Sequence, residues 1–155
     1  MSVIKETEAI KRIAGYCAKS EQSRADAYEK MKKWGFGNKT IEGMLDALET
    51  SGFINDDRFS RSFVNDKFRL SKWGRLKIAQ ALDLRKIPEA VYQPYLNDID
   101  EEEYTATLRC LLDMKKRSIQ GKNKEEKEAK LVRFALSRGF EMQYIEQCLD
   151  LPDRD

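Results

Sequence analysis

The stretch Asn55-Asp56-Asp57-Arg58 gathers side chains able to do chemistry. Paired carboxylates can hold a divalent cation, but such a site needs several converging oxygen ligands, and no second acidic cluster in helical register accompanies this pair. The same residues suit a helix start: Asn55 or Asp56 can accept from the free amides of the first turn, and Asp57 meets the positive end of the helix dipole. Capping is the reading this pattern favours. Cys17, Cys110 and Cys148 form no CxxC pair, and the 155 residues contain no histidine. Zinc binding, haem attachment and imidazole acid–base catalysis therefore lack their usual groups. The glycine patterns of phosphate loops, dinucleotide sites and nucleophile elbows are absent too. The expectation is a protein that is not an enzyme and uses neither cofactor nor metal.

Binding chemistry is better represented. Lys and Arg number 29 against 27 Asp and Glu, a net charge of +2, with 36% of positions charged. The charges are unevenly spread. Residues 58–86 hold Arg58, Arg61, Lys67, Arg69, Lys72, Arg75, Lys77, Arg85 and Lys86 against Asp66 and Asp83, a net +7. Residues 109–138 reach a net +6, with Lys115, Lys116, Arg117, Lys122, Lys124, Lys130, Arg133 and Arg138 as candidate contacts. Acids collect instead at Asp98 to Glu103 and at Asp150, Asp153 and Asp155. If both basic segments face one side, they attract phosphates or an acidic protein surface; a solvated helical face accounts for the same charges. Trp73, near Lys72 and Arg75, fits either base stacking or a core position.

Helices must position these side chains. Apolar residues recur at helical spacing, as in Ile41, Met44, Leu45 and Leu48, and no segment reads as a strand. Glycine, proline and serine punctuation predicts helices at 6–18, 22–34, 39–50, 57–69, 73–86, 89–97, 101–119, 124–138 and 141–149. In the fourth, Phe59, Phe63 and Leu70 share one face while Arg58, Arg61, Asn65 and Arg69 line another. Lys67 falls within the apolar arc, where its stem can snorkel along the core or its ammonium can meet a partner.

The helices repeat. Gly35-Phe36, four residues, then Ile41-Glu42-Gly43-Met44-Leu45 matches Gly139-Phe140, four residues, then Ile145-Glu146-Gln147-Cys148-Leu149, 104 positions later and without a gap. A weaker middle copy starts at Lys86-Ile87 and closes at Leu96, with Pro94 predicting a short or kinked helix. Three-helix units of about fifty residues are too small to bury much surface alone and must share faces. The fold expected is all-α, with nine helices in three tandem three-helix repeats forming an elongated, curved stack. Its divisions are 1–52, 53–98 and 99–150, followed by a C-terminal tail at 151–155. An odd, scattered cysteine count fits a reducing cytoplasm, and neither an export signal nor a membrane span is expected.

These features together resemble the RecX family, bacterial regulators of the RecA recombinase. The matching residues are Ser20-Glu21-Gln22-Ser23 opening the second helix, Gly35-Phe36, Gly52-Phe53-Ile54-Asn55-Asp56-Asp57-Arg58-Phe59 with Phe63-Val64, Gly74 with Ile78 and Leu82, and Arg138-Gly139-Phe140. Ser23 stands where the family usually has an acid after the cap, which weakens the capping box. The resemblance implies a non-enzymatic protein lying along a RecA filament; a monomer is expected. It implies inhibition of recombinase, ATPase and coprotease activities, modulating homologous recombination and the SOS response, with weaker affinity for single- or double-stranded DNA. Asp57, Arg58, Phe59 and Phe63 match the family signature, and Lys67 stands where the family tends to place a basic residue. Two alternatives remain: a direct DNA-binding module independent of RecA, and a generic helical-repeat scaffold for another protein.

Overall fold

The computed structural model describes residues 4–150, among which there are nine helices and no strand. They are α1 (Glu6–Lys19), α2 (Arg24–Lys33), α3 (Asn38–Thr50), α4 (Asp56–Arg69), α5 (Arg75–Leu84), α6 (Glu89–Asn97), α7 (Glu101–Lys116), α8 (Lys124–Ser137) and α9 (Met142–Leu149). The all-α expectation holds. The tail at 151–155, with Asp153 and Asp155, lies outside the described residues.

Local chemistry explains where the helix ends differ from expectation. Ser23, not Ser20, caps α2: its backbone is extended and its buried hydroxyl accepts from the Asp26 amide at 3.0 Å. Asp56 also serves α2, accepting the Arg24 amide at 2.9 Å. Burial pushes the Asp56 carboxyl above its ordinary range, although the Arg24 amide opposes the shift. Asn55 caps α4 by accepting from the Arg58 amide at 2.9 Å. α7 stops at Lys116 because Ser118 returns both its amide and its hydroxyl to the Lys115 carbonyl, each at 3.0 Å. α6 continues through Pro94 and has nine residues, one more than α9.

The sequence repeat reappears as one hydrogen-bond motif at three helix ends. After α2, the Gly35 amide donates to Lys32 O and the Phe36 amide to Met31 O; after α8, Gly139 and Phe140 do the same to Leu136 O and Ala135 O. After α5, Lys86 donates to Asp83 O and Ile87 to Leu82 O. This double return turns the chain off a helix and requires left-handed backbone at its pivot. The pivots have φ of 95° at Gly35 and Gly139 but 61° at Lys86, where a Cβ must be accommodated. Lys86→Gly is therefore expected to raise stability by ~0.5–1 kcal/mol, because relief of left-handed strain outweighs glycine's entropic cost. Urea unfolding midpoints check this.

The described residues divide into two compact units, one holding those up to Phe63 with 82–92, the other 64–81 with those from 93 onward. In the first, α1 and α2 pack against α3 around Ile13, Met31, Ile41, Leu45 and Leu48. Arg24 bridges Glu42, Asp46 and Glu49 across this bundle. Burial acts to lower the Arg24 pKa, but the carboxylates together outweigh it and hold the guanidinium above its ordinary value. In the second, α7, α8 and α9 pack together, and the Tyr104 ring lies 5.7 Å from Phe68, 5.1 Å from Phe140 and 5.0 Å from Tyr144.

The apolar face of α4 departs from expectation. Phe59, Ser60, Val64 and Phe68 are buried, whereas Leu70 is 78% exposed. Phe63 is half-buried, its ring 5.4 Å from that of Phe59. The inner row runs through 60, 64 and 68 at intervals of four, and Ser60 tolerates burial because its hydroxyl donates to Asp56 O at 2.7 Å. Leu70 lies beyond the last helical residue.

Candidate binding surface

Several basic side chains expected to meet a partner are committed to the fold. Arg75 is the clearest case, with a side chain only 12% exposed. Its guanidinium donates to Leu96 O at 3.0 Å and Tyr144 Oη at 3.2 Å, and it pairs with Glu101 at 3.2 Å and Glu141 at 3.5 Å. It also stacks 4.0 Å from the Tyr104 ring centroid. Burial would lower its pKa, but Tyr144, Tyr104 and Glu141 turn the net shift upward. The Tyr104 hydroxyl accepts the Arg75 amide and donates to Glu141; burial first, then Glu141, pushes the phenol well above its usual range.

Arg138 donates to Ser71 O at 3.0 Å, Arg58 to Gly52 O at 2.9 Å, and Arg85 pairs with Asp26 at 3.0 Å while lying 4.8 Å over Phe63. Arg58 also pairs with Glu21 at 2.5 Å. Arg75 and Arg58 each span several acceptors with the planar fork, while Arg85 and Arg138 each tie together segments distant in sequence. Of the family-signature residues, Asp57 is exposed in the first turn of α4 and Phe59 is core.

Arg58 is itself exposed despite these bonds, and the other candidates also reach solvent. Arg61, Lys72, Lys86, Lys116, Arg117, Lys122, Lys124 and Arg133 are exposed. Arg69 is exposed and lies 3.7 Å from Glu103, a distance at which a surface ion pair contributes little. Lys67 and Lys77 are half-buried, with their ammoniums 4.8 Å and 4.5 Å from the centroid of the half-buried Trp73 ring. Lys67 thus lays its stem along the protein while its charge rests on an indole.

α7, α8 and the loop between them bring basic residues together around two open depressions. Lys115, Lys130 and Arg133 surround one with Phe134, and the Lys115 ammonium lies 5.2 Å over that ring. Lys130 also donates to Gln120 O, holding the loop to α8. Lys116, Lys124 and Lys127 surround the other, together with Leu131 and Leu149. Lys127 was not among the expected contacts. The unbroken three-residue spacing of Lys124, Lys127, Lys130 and Arg133 is the signal, since it runs one basic series obliquely around α8.

Ammonium and guanidinium groups on open surface bind phosphate or carboxylate by charge-assisted hydrogen bonds. Burial raises the pKa of the Cys17 and Cys148 thiols, which disfavours the nucleophilic thiolate. Among the described residues, no His, Cys, Asp and Glu side chains form a group of three able to hold a metal, and no helix is long and apolar enough to cross a membrane.

Comparison with known proteins agrees with this architecture. Residues 55–93 match the family model for the second three-helix domain of RecX, and residues 101–149 that for the third. The chain is 31% identical to the regulatory protein RecX of Prosthecochloris aestuarii over 144 residues, covering 92% of each chain. It is 32% identical to that of Clostridium tetani over 138 residues, covering 87% of this chain and 62% of the relative. A crystal structure of RecX from Lactobacillus salivarius shares the fold with a TM-score of 0.78 at 16% identity, covering 94% of each chain. Another regulatory protein RecX reaches a TM-score of 0.84 at 20% identity, covering 94% of this chain and 73% of that one. The named domains fall on α4 to α9, the relatives span nearly the whole sequence, and the chain belongs to the RecX family of regulatory proteins.

Proposed function

We propose that this protein is a non-enzymatic regulator that binds RecA filaments on DNA and inhibits their recombinase, ATPase and coprotease activities. The observation that carries this reading is the display of basic side chains around open surface on α7, α8 and their loop, within the third three-helix domain of a regulatory family. Each exposed charge contributes little alone, but contacts spaced along one chain act on a repeating polymer through effective concentration. The repeats at 1–52, 53–98 and 99–150 are the natural spacing elements for such contacts.

The proposed action is occupancy of the filament by a monomer in the cytoplasm, without cofactor. Purified protein at stoichiometric ratio to RecA is expected to inhibit single-stranded-DNA-dependent ATP hydrolysis and strand exchange. Full activity under those conditions overturns the reading. Lys116→Glu combined with Lys124→Glu should weaken inhibition by about tenfold while leaving the thermal midpoint nearly unchanged, because both residues are exposed. Gel shifts without RecA, across a salt series, separate this reading from a direct DNA-binding module.

A further inference from the structure

One face of the first compact unit carries charge of the opposite sign to α8. Glu42, Asp46 and Glu49 follow one another along α3 at intervals of four and three, which places them on one side of that helix. All three are exposed, and all three pair with Arg24 within 3.0 Å. One guanidinium answers three carboxylates, so two negative charges are left over on this face.

The row borders an open cleft that lies wholly within the same unit, between α2, α3, the start of α4 and the turn after α5. Arg24 and Glu42 belong to its lining, as do the half-buried Asp56 and the exposed Glu29. Asp26 also lines it, paired with Arg85, and Lys86 adds one further cation. Across the cleft and the row, six carboxylates thus face three cations, a net charge of −3. Asp56 registers this field: burial is the main cause of its raised pKa, the Arg24 amide opposes the rise, and Glu49 and Asp26 add to it.

The cleft also presents a large apolar side chain. Leu84 lines it from the end of α5 and is 80% exposed, with the half-buried Tyr28 in the same lining. A single exposed leucine on a convex surface is ordinary. Here it stands in a concavity whose net charge repels a polyanion and attracts cations. The chemistry that complements both features is a protein segment with basic residues on one side and apolar residues on the other.

We propose that this cleft docks a basic amphipathic segment of a partner protein, whose apolar side covers Leu84 and whose cations meet Glu29 and the row formed by Glu42, Asp46 and Glu49. The inference goes beyond the filament reading, because it uses a different surface of opposite charge.

The probe is a fluorescently labelled peptide of lysine and leucine in amphipathic helical register, titrated with the full chain and read by anisotropy. Saturable binding is expected. Leu84→Ser should weaken it about tenfold, through loss of a leucine that becomes covered in the complex. Glu29→Lys should weaken it about fivefold. Both variants should keep the parent's thermal midpoint, because both side chains are exposed. Glu102→Lys, exposed in the acidic first turn of α7, should retain the parent affinity and so separates this cleft from acidic surface in general. A lysine and serine peptide of equal charge should bind about tenfold more weakly than the leucine peptide.

Absence of saturable binding overturns the proposal, as does parent affinity in either Leu84→Ser or Glu29→Lys. Equal affinity for the two peptides overturns the apolar contact. Self-association of the chain that Glu29→Lys abolishes assigns the cleft to a second copy and overturns the separate partner. Failure of RecA inhibition leaves these readouts unaffected, so the two proposals fail separately.

Discussion

Gly74→Ala is expected to destabilise the protein by ~3 kcal/mol or more, among the largest effects of any single methyl group in this chain. A Cβ at Gly74 would stand 2.4 Å from both the carbonyl carbon and oxygen of Gly139 and 2.5 Å from the Phe140 nitrogen. All three neighbours are backbone, so no side chain can swing away. Two hydrogen bonds depend on this approach: the Gly74 amide to Arg138 O at 2.8 Å and the Leu76 amide to Gly139 O at 2.9 Å. Overpacking costs about 1–3 kcal/mol and each hydrogen bond about 0.5–1.5 kcal/mol, which together support the expected loss. At about 2–4 °C per kcal/mol for a chain near this size, the melting temperature should fall by roughly 10 °C. Gly52→Ala is the matched comparison: its φ is 81° but a Cβ there meets nothing within 4 Å, so only backbone strain of about 1 kcal/mol is expected. Equal losses in the two variants, measured by urea unfolding, contradict the close-contact argument.

Arg75→Met is expected to cost about 3 kcal/mol and to leave polyanion affinity of the folded protein unchanged. The substitution removes the donors to Leu96 O and Tyr144, and leaves the half-buried Glu141 without its cation. Breaking a buried pair by deleting one partner costs about 3–5 kcal/mol when the remaining charge stays inside; partial exposure of Glu141 places this case at the low end. Arg75→Lys should recover only part of the loss, since an ammonium cannot span the carbonyl, phenol and carboxylate acceptors as a planar fork does. Arg61→Ala, on an exposed surface, should stay within about 0.5 kcal/mol of the parent. Loss of binding without loss of stability in Arg75→Met returns Arg75 to the binding surface.

The helices were legible because burial imposes a period that short-range sequence records. Ile41, Met44, Leu45 and Leu48 are buried as their spacing demands, and Gly35 and Gly139 occupy the left-handed turns that glycine tolerates. The middle copy of the repeat was faint because Lys86 performs the turn that glycine performs elsewhere. A residue symbol records preference, whereas the hydrogen bonds from Lys86 and Ile87 record the conformation adopted.

The roles of the basic residues were less legible. Arg61 and Arg75 belong to the same net-positive segment, yet one is exposed and the other sits beneath Tyr144 and Glu141 contacts from distant parts of the chain. Lys67 looked ambiguous between core and surface; its stem is partly covered and its ammonium rests on Trp73.

The sequence by itself determined the all-helical fold, the turn points and the two basic segments, because periodicity, capping and charge act over a few residues. Only the tertiary structure decided which cations remain at the surface and which brace the fold. That division depends on acceptors such as Leu96 O, Ser71 O and Glu141, brought to Arg75 and Arg138 from 21 to 67 residues away. Packing similarly made Gly74 a backbone contact, since the atoms that exclude a Cβ there belong to Gly139 and Phe140. Spacing along one helix cannot encode such neighbours; their positions follow from the shared burial of several helices.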